Sequence, residues 1–158
     1  MAGLFSRLQK RSIGHHPYCT AVVVAAGSAS RMKGIDKIMT TLGGIPVLAR
    51  TLQALEQCGR IDEIVVVTRT DLCAPVNILC REFGIQKVTA VVSGGATRAE
   101  SVRCGLCAVS GRAELAAIHD GARPFVSQEL LERVLIAGAY TDNGAAISAH
   151  WDLPDITG

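Results

Sequence analysis

The sequence predicts an α/β protein built on one doubly wound, mostly parallel sheet with helices on both faces. Three observations carry this. Short β-branched apolar runs alternate with stretches whose apolar residues recur at helical spacing. Hydrophobic residues make up 49% of the chain and charged residues only 19%, which suits strands buried on both faces. The 158 residues are enough for one domain with a real core, and no apolar run reaches membrane-spanning length.

The elements follow in order. Residues 1–19 read as a flexible N-terminal extension; Leu4, Phe5 and Leu8 with Arg7, Lys10 and Arg11 give it weak amphipathic character. Ala21–Ala25 is a buried strand. Pro46–Cys58 is a helix with proline at its start and Val47, Leu48, Leu52 and Leu55 on one face. Glu63–Thr68 is a strand, Pro75–Phe83 a helix, Lys87–Val92 a strand and Arg98–Val109 a helix. Leu115–His119 is a strand, Gln128–Tyr140 a helix that Ser127 caps, and Ala145–Ala149 a fifth strand. Residues 20–149 thus form the expected domain, of Rossmann-like type, and 150–158 a divergent tail. Ligands of such sheets bind beyond the carboxyl ends of the strands.

Composition excludes several classes. A net charge of +2 and 4% aromatics give no basis for a nucleic-acid surface. Cysteines at 19, 58, 73, 80, 104 and 107 follow no secretory signal and read as reduced thiols of a cytoplasmic protein. Cys104 and Cys107 have CxxC spacing without a second pair, so they read as small core-facing residues of a helix. His15, His16 and Cys19 read as solvated tail, not a metal site.

Three loops at expected strand ends carry chemistry. In the first, the small residues Ala25, Ala26, Gly27, Ser28, Ala29 and Ser30 let backbone N–H groups approach phosphate oxygens. Arg31 and Lys37 follow as two cations suited to a triphosphate. The second, Ser93-Gly94-Gly95-Ala96-Thr97-Arg98, turns tightly into a helix whose first turn places Ser101 toward a sugar or base. The third, His119-Asp120-Gly121-Ala122-Arg123-Pro124, sets a carboxylate and a guanidinium where packing needs neither. No Gly-Lys-Ser/Thr follows the first turn and there is no GxGxxG, which argues against NTP-hydrolysing motors and NAD enzymes.

The pattern Ala25-Ala26-Gly27-Ser28-x-Ser30-Arg31-Met32 with Asp36-Lys37 resembles the sugar-nucleotidyltransferase superfamily. Gly94-Gly95-x-x-Arg98-x-x-Ser101-Val102 and His119-Asp120-x-Ala122-Arg123-Pro124 narrow the resemblance to the 2-C-methyl-D-erythritol 4-phosphate cytidylyltransferase family. The resemblance implies a cytidylyltransferase of isoprenoid precursor synthesis by the non-mevalonate pathway. Such an enzyme joins CTP to a sugar-alcohol phosphate and releases pyrophosphate, with Mg²⁺ held mainly on the phosphates. It implies that Arg31 and Lys37 are catalytic, and that Ala25, Ala26, Gly27, Gly95, Ala96, Ser101 and Gly121 bind the nucleotide. Asp120 and Arg123 would bind the acceptor.

After Ala149 the family continues with an apolar-proline stretch and Asp-Thr-Ile/Met-Lys, whereas this chain reads His150-Trp151-Asp152-Leu153-Pro154-Asp155-Ile156-Thr157-Gly158. A residue separates Asp155 from Thr157, so no acceptor role is carried onto them. Members of the family dimerise through a C-terminal arm, and the expectation from this sequence is a chain without it, in which CTP binding survives better than turnover. A pentitol-phosphate cytidylyltransferase and a CTP-binding remnant are the alternative readings.

Overall fold

The computed structural model of the chain describes residues 16–27 and 36–140. Residues 1–15 of the expected N-terminal extension, Ser28, Ala29, Ser30 and Arg31, the strand expected at 145–149 and the tail lie outside the described residues.

Four parallel strands form the sheet, in the order β5-β4-β1-β6. Strand β1 is Cys19–Ala25, two residues longer at its start than expected: Cys19, expected in the solvated tail, is instead buried and pairs with Leu115. Strand β4 is Glu63–Thr68, buried along its whole length, as a central strand covered on both faces should be. Strand β5 is Val88–Ser93 and strand β6 is Leu115–Asp120. A short hairpin, β2 (Thr41–Leu42) and β3 (Ile45–Pro46), was not anticipated. Its turn is Gly43-Gly44 with φ of 60° and 77°, the left-handed pair that a two-residue hairpin loop requires.

Helix α1 is Val47–Glu56, α2 is Cys73–Glu82, α3 is Arg98–Cys107 and α4 is Gln128–Tyr140. Helix α1 starts one residue later than expected, since Pro46 is taken by the hairpin. Helix α2 starts earlier, after a 3-10 turn at Thr70–Leu72. Pro75 falls within its first turn, where a missing N–H leaves no helical hydrogen bond unmade. Ser127 Oγ accepts from Leu130 N–H at 3.2 Å, the expected cap of α4.

The sheet is covered on both faces. Leu48, Leu52 and Leu55 of α1, Val76 and Leu79 of α2, and Leu131 and Leu135 of α4 share one buried cluster with Ala21, Val23 and Val66. Each such fully buried aliphatic side chain contributes about 1.5–3 kcal/mol. On the other face Val22, Val67 and Ile118 meet α3 through Val102 and Cys104. A Cβ on Gly105 would come within 2.4 Å of Val22 Cγ1, so glycine is what lets this helix lie against the sheet. Cys104 is half-buried as expected, but Cys107 faces solvent because it lies on the outer side of the same helix. All six cysteines are free thiols, and burial pushes the Cys19 thiol up to about 12.

The chain reaches β4 and β5 on one side of β1 and then returns to β6 on the other. The sheet therefore has its switch point between β1 and β6, the place beyond the carboxyl ends where sheets of this kind bind ligands.

The opposite, amino end of the sheet is closed by a carboxylate. Glu63 is 3% exposed. It accepts from Thr20 Oγ1 at 2.6 Å, Thr89 Oγ1 at 2.7 Å and Ser110 N–H at 3.2 Å. Burial pushes its pKa up, but these hydrogen bonds and the Arg112 guanidinium outweigh burial and hold it below the usual range. Arg112 itself stacks 4.6 Å from the Tyr18 ring centre.

Candidate active site

The strand register brings the carboxyl ends level. Ala25 pairs with Thr68, Thr68 with Ser93, and Val24 with Asp120. Four loops consequently leave the sheet along one edge: Ala26-Gly27, Arg69-Thr70-Asp71, Gly94–Thr97 and Gly121–Pro124. Three of these were anticipated, and the second was not.

The glycine loop closes onto the first. Gly94 N–H continues the ladder to Thr68 O at 2.8 Å. A Cβ on Gly94 would lie 2.6 Å from both Ala26 Cβ and Ser101 Oγ. Only a residue without a side chain allows this approach, and only a small residue at 26 leaves the room. Ser101 is buried, and its Oγ accepts from Gly95 N–H at 3.2 Å. Its hydroxyl, expected to face a sugar or base, is instead turned inward and shapes the Gly94-Gly95 turn. Ala96 is exposed on the outer side of the turn. Helix α3 opens on a capping box: Thr97 Oγ1 accepts from Glu100 N–H at 3.1 Å while Glu100 Oε2 accepts from Thr97 N–H at 3.0 Å. Gly27 is exposed with open space where a Cβ would stand.

The third loop is braced from within. Gly121 N–H donates to Val24 O at 2.9 Å, and Thr51 Oγ1 donates to Gly121 O at 2.8 Å. A Cβ on Gly121 would approach Ala25 Cβ to 2.9 Å. Asp120 Oδ1 accepts from Ala122 N–H at 3.0 Å, and its Oδ2 stands 3.8 Å from Arg123 Nε. Both side chains stay about half exposed (43% and 48%), so this is a loose pair open to a ligand rather than a closed salt bridge. His119 Nε2 lies 3.2 Å from Arg123 O. Burial pushes its pKa down, which favours the neutral ring that bonds this carbonyl.

Lys37 is exposed at the same edge, next to Asp36. Asp36 Oδ2 lies 2.9 Å from Arg69 Nη2. Arg69 Nε also meets Asp71 Oδ1 at 3.2 Å. Beside it, Thr70 Oγ1 and Ser93 Oγ are 2.7 Å apart. Arg69 was the residue missed from the sequence. Its signal was an Arg-Thr-Asp run directly after a strand with a four-residue apolar run, Ile64–Val67, the same logic that singled out Asp120.

The structure thus brings together Ala25, Ala26, Gly27, Lys37, Gly95, Ala96, Ser101, Asp120, Gly121 and Arg123 on one edge of the sheet; Arg31 lies outside the described residues. Among the described residues, no three His, Cys, Asp or Glu side chains gather as a metal cage, and no helix is long and apolar enough to cross a membrane.

A family model described as 2-C-methyl-D-erythritol 4-phosphate cytidylyltransferase matches residues 19–151. A protein of that name from Dehalococcoides mccartyi (strain CBDB1) is 40% identical over 129 residues, which cover 82% of this chain and 56% of the relative. The crystal structure of 4-diphosphocytidyl-2C-methyl-D-erythritol synthase from Anaerococcus prevotii superposes with a TM-score of 0.67 at 31% identity, over 77% of this chain and 51% of that one. Rv0371c from Mycobacterium tuberculosis, in complex with manganese, superposes at 0.60 with 25% identity, over 78% and 61%. The chain spans about half the length, 56%, of the curated relatives it matches. On the match of the model to more than half of the chain and on relatives at this identity, the chain belongs to the 2-C-methyl-D-erythritol 4-phosphate cytidylyltransferase family.

Proposed function

We propose that the chain carries the nucleotide side of a cytidylyltransferase that couples CTP to 2-C-methyl-D-erythritol 4-phosphate, giving 4-diphosphocytidyl-2-C-methyl-D-erythritol and pyrophosphate. The observation that supports it most is the junction at Gly94. There two loops of small residues meet at one sheet edge with no side chain between them.

In this reading Ala25, Ala26 and Gly27 line the CTP pocket. Gly95 and Ala96 face the cytidine, and Ser101 holds their turn in shape. Gly121 lies against the nucleotide. Asp120 and Arg123 receive the sugar-alcohol phosphate, the guanidinium matching a phosphate in charge and fork geometry. An acceptor phosphate oxygen attacks the α-phosphorus in line, the new P–O bond forms as the bond to the β-phosphate oxygen breaks, and pyrophosphate leaves. Arg31 and Lys37 neutralise charge that grows on the α-phosphate. Such chemistry asks chiefly for positioning and charge, with no covalent intermediate.

A divalent cation fits the residues present, and Mg²⁺ is our choice. Asp36 and Asp71 both stand against Arg69, and Glu100 closes the capping box. No side chain is assigned as the ion's ligand: Mg²⁺ would be held mainly on the nucleotide's phosphates, at the sheet edge that also carries the half-exposed Asp120 carboxylate. When bound, such an ion would offset the charge of the phosphates. Six free thiols fit a reducing, cytoplasmic setting.

Calorimetric titration of the 158-residue chain with CTP, UTP, ATP and GTP in the presence of Mg²⁺ tests the nucleotide side. CTP alone should bind. Pyrophosphate release is then measured with 2-C-methyl-D-erythritol 4-phosphate and with a pentitol phosphate. Release with the first acceptor supports the proposal, and preference for the second reassigns it. CTP binding without release with either leaves a nucleotide-binding module, and absence of CTP binding by a folded chain removes the reading.

A further inference from the structure

We propose that Arg69 is a positioning residue for Lys37, acting through Asp36. The inference rests on the reading above, in which Lys37 acts at the α-phosphate, and it assigns a task to the strand-end loop that sequence motifs passed over.

Arg69 directly follows Thr68, the last residue of the fully buried central strand. Its backbone is therefore as fixed as any in the sheet. Its guanidinium reaches sideways to two carboxylates, Asp36 at 2.9 Å and Asp71 at 3.2 Å. Asp71, on the same loop, orients the guanidinium. Asp36 belongs to a different part of the chain, the segment that leads to the hairpin, and its side chain is 23% exposed.

Asp36 then organises the residues after it. Its Oδ1 accepts from Ile38 N–H at 3.3 Å. Its carbonyl accepts from Thr40 N–H at 2.9 Å and from Thr40 Oγ1 at 2.8 Å. Ile38 is buried, and its carbonyl receives Leu48 N–H at 2.9 Å. Lys37 thus sits between a residue tethered to β4 and a residue anchored to α1, while its own side chain stays exposed. A long lysine on a free loop would spread its charge over many positions. Here its Cα is held from both sides, and Arg69 supplies one of the two holds without needing to touch the reacting atoms.

Two readouts on the full chain test this. In limited trypsinolysis followed by mass spectrometry, Arg69→Gln should speed cleavage at Lys37–Ile38 about fivefold, with cleavage at Lys87–Val88 within about twofold, because local opening governs cutting. In pyrophosphate release, the same variant should lower kcat about tenfold and leave KM for CTP within about twofold, as misplacement of a charged group does. Asp36→Asn should match it, and the double variant should lose no more than either single one, since the two act as a unit. Arg69→Lys keeps the charge and should recover part of both losses.

Unchanged cleavage at Lys37–Ile38, or additive losses in the double variant, overturns the proposal. So does a loosened Lys37 segment with unchanged kcat. A parent chain that releases no pyrophosphate overturns the catalytic reading instead, and the cleavage pattern with the double variant then decides the tether by itself.

Discussion

The two ends of the sheet are built on opposite principles. At the amino end, charge is buried and fully satisfied: Glu63 ties Thr20 of β1, Thr89 of β5 and Ser110 of the α3–β6 turn to its own strand. Nearby, Glu56 accepts from Gln86 N–H and Lys87 N–H at 3.1 and 2.9 Å. At the carboxyl end, the Asp120–Arg123 pair is half exposed and loose, Arg69 holds Asp36 at 2.9 Å, and glycines and alanines replace bulk. The same four strands supply both ends, so the difference lies in what each end is for. One end locks the strands together. The other leaves the Lys37 and Arg123 side chains exposed.

Variants at the two ends should therefore separate activity from stability. The largest expected effect is Lys37→Ala. Removing one charge-stabilising group should lower pyrophosphate release by about 100-fold or more, with the thermal midpoint within about 2 °C of the parent because the side chain is exposed. Steady-state kinetics beside a melting curve measures both. A large fall in melting temperature would place Lys37 in the framework instead and erase the contrast.

Glu63→Ala is the mirror experiment. It strips the partner from two hydroxyls and a buried N–H, at a cost of about 3 kcal/mol. In a domain of this size that lowers the midpoint by roughly 10 °C. The fraction that stays folded at low temperature should bind CTP as the parent does. Weakened binding at full folding would show that the two ends are coupled through the strands.

Gly94→Ala sharpens the contrast at the carboxyl end. The new methyl would meet Ala26 Cβ and Ser101 Oγ at 2.6 Å, and overpacking of this kind costs about 1–3 kcal/mol. Calorimetry should show weaker CTP binding together with this modest destabilisation. Binding equal to the parent's would mean that the junction of the two loops does not shape the nucleotide side.

The sheet was legible because its signals are local. Apolar runs such as Ile64-Val65-Val66-Val67 exclude water from both faces wherever they sit, so strand positions follow from composition alone. Ser127 and the glycine pairs at 94–95 likewise announce caps and turns. The hairpin at 41–46 was overlooked although Gly43-Gly44 lies between Thr41-Leu42 and Ile45-Pro46, because runs of two residues are too short to show a period. Lys37 was readable as a cation following a loop of small residues, but its fixing was not. That depends on Arg69, 32 positions further along by its number and adjacent only once β4 lies beside β1. The same holds for Ser101, whose place in a first helical turn was plain while its inward-facing bond to Gly95 N–H needed the fold.

The smallest expected effect concerns pH, and it involves one group from each end. At the carboxyl end, burial holds the His119 pKa below its ordinary 6.5. The unfolded chain then binds the proton more readily than the folded one, so stability falls as pH drops below about 6.5 and levels off once the folded ring also protonates. At the amino end, Glu63 is held below its ordinary 4.5. Its contribution is complete above that value and is lost as pH falls through the lower, folded one. Denaturant titrations between about pH 8 and pH 3 should thus show two successive losses, the first from His119 and the second from Glu63. His119→Gln should remove the first step and leave the second, and Glu63→Gln the reverse. A single merged loss, insensitive to which residue is changed, would mean that the two ends titrate as one unit and that their separation is structural only.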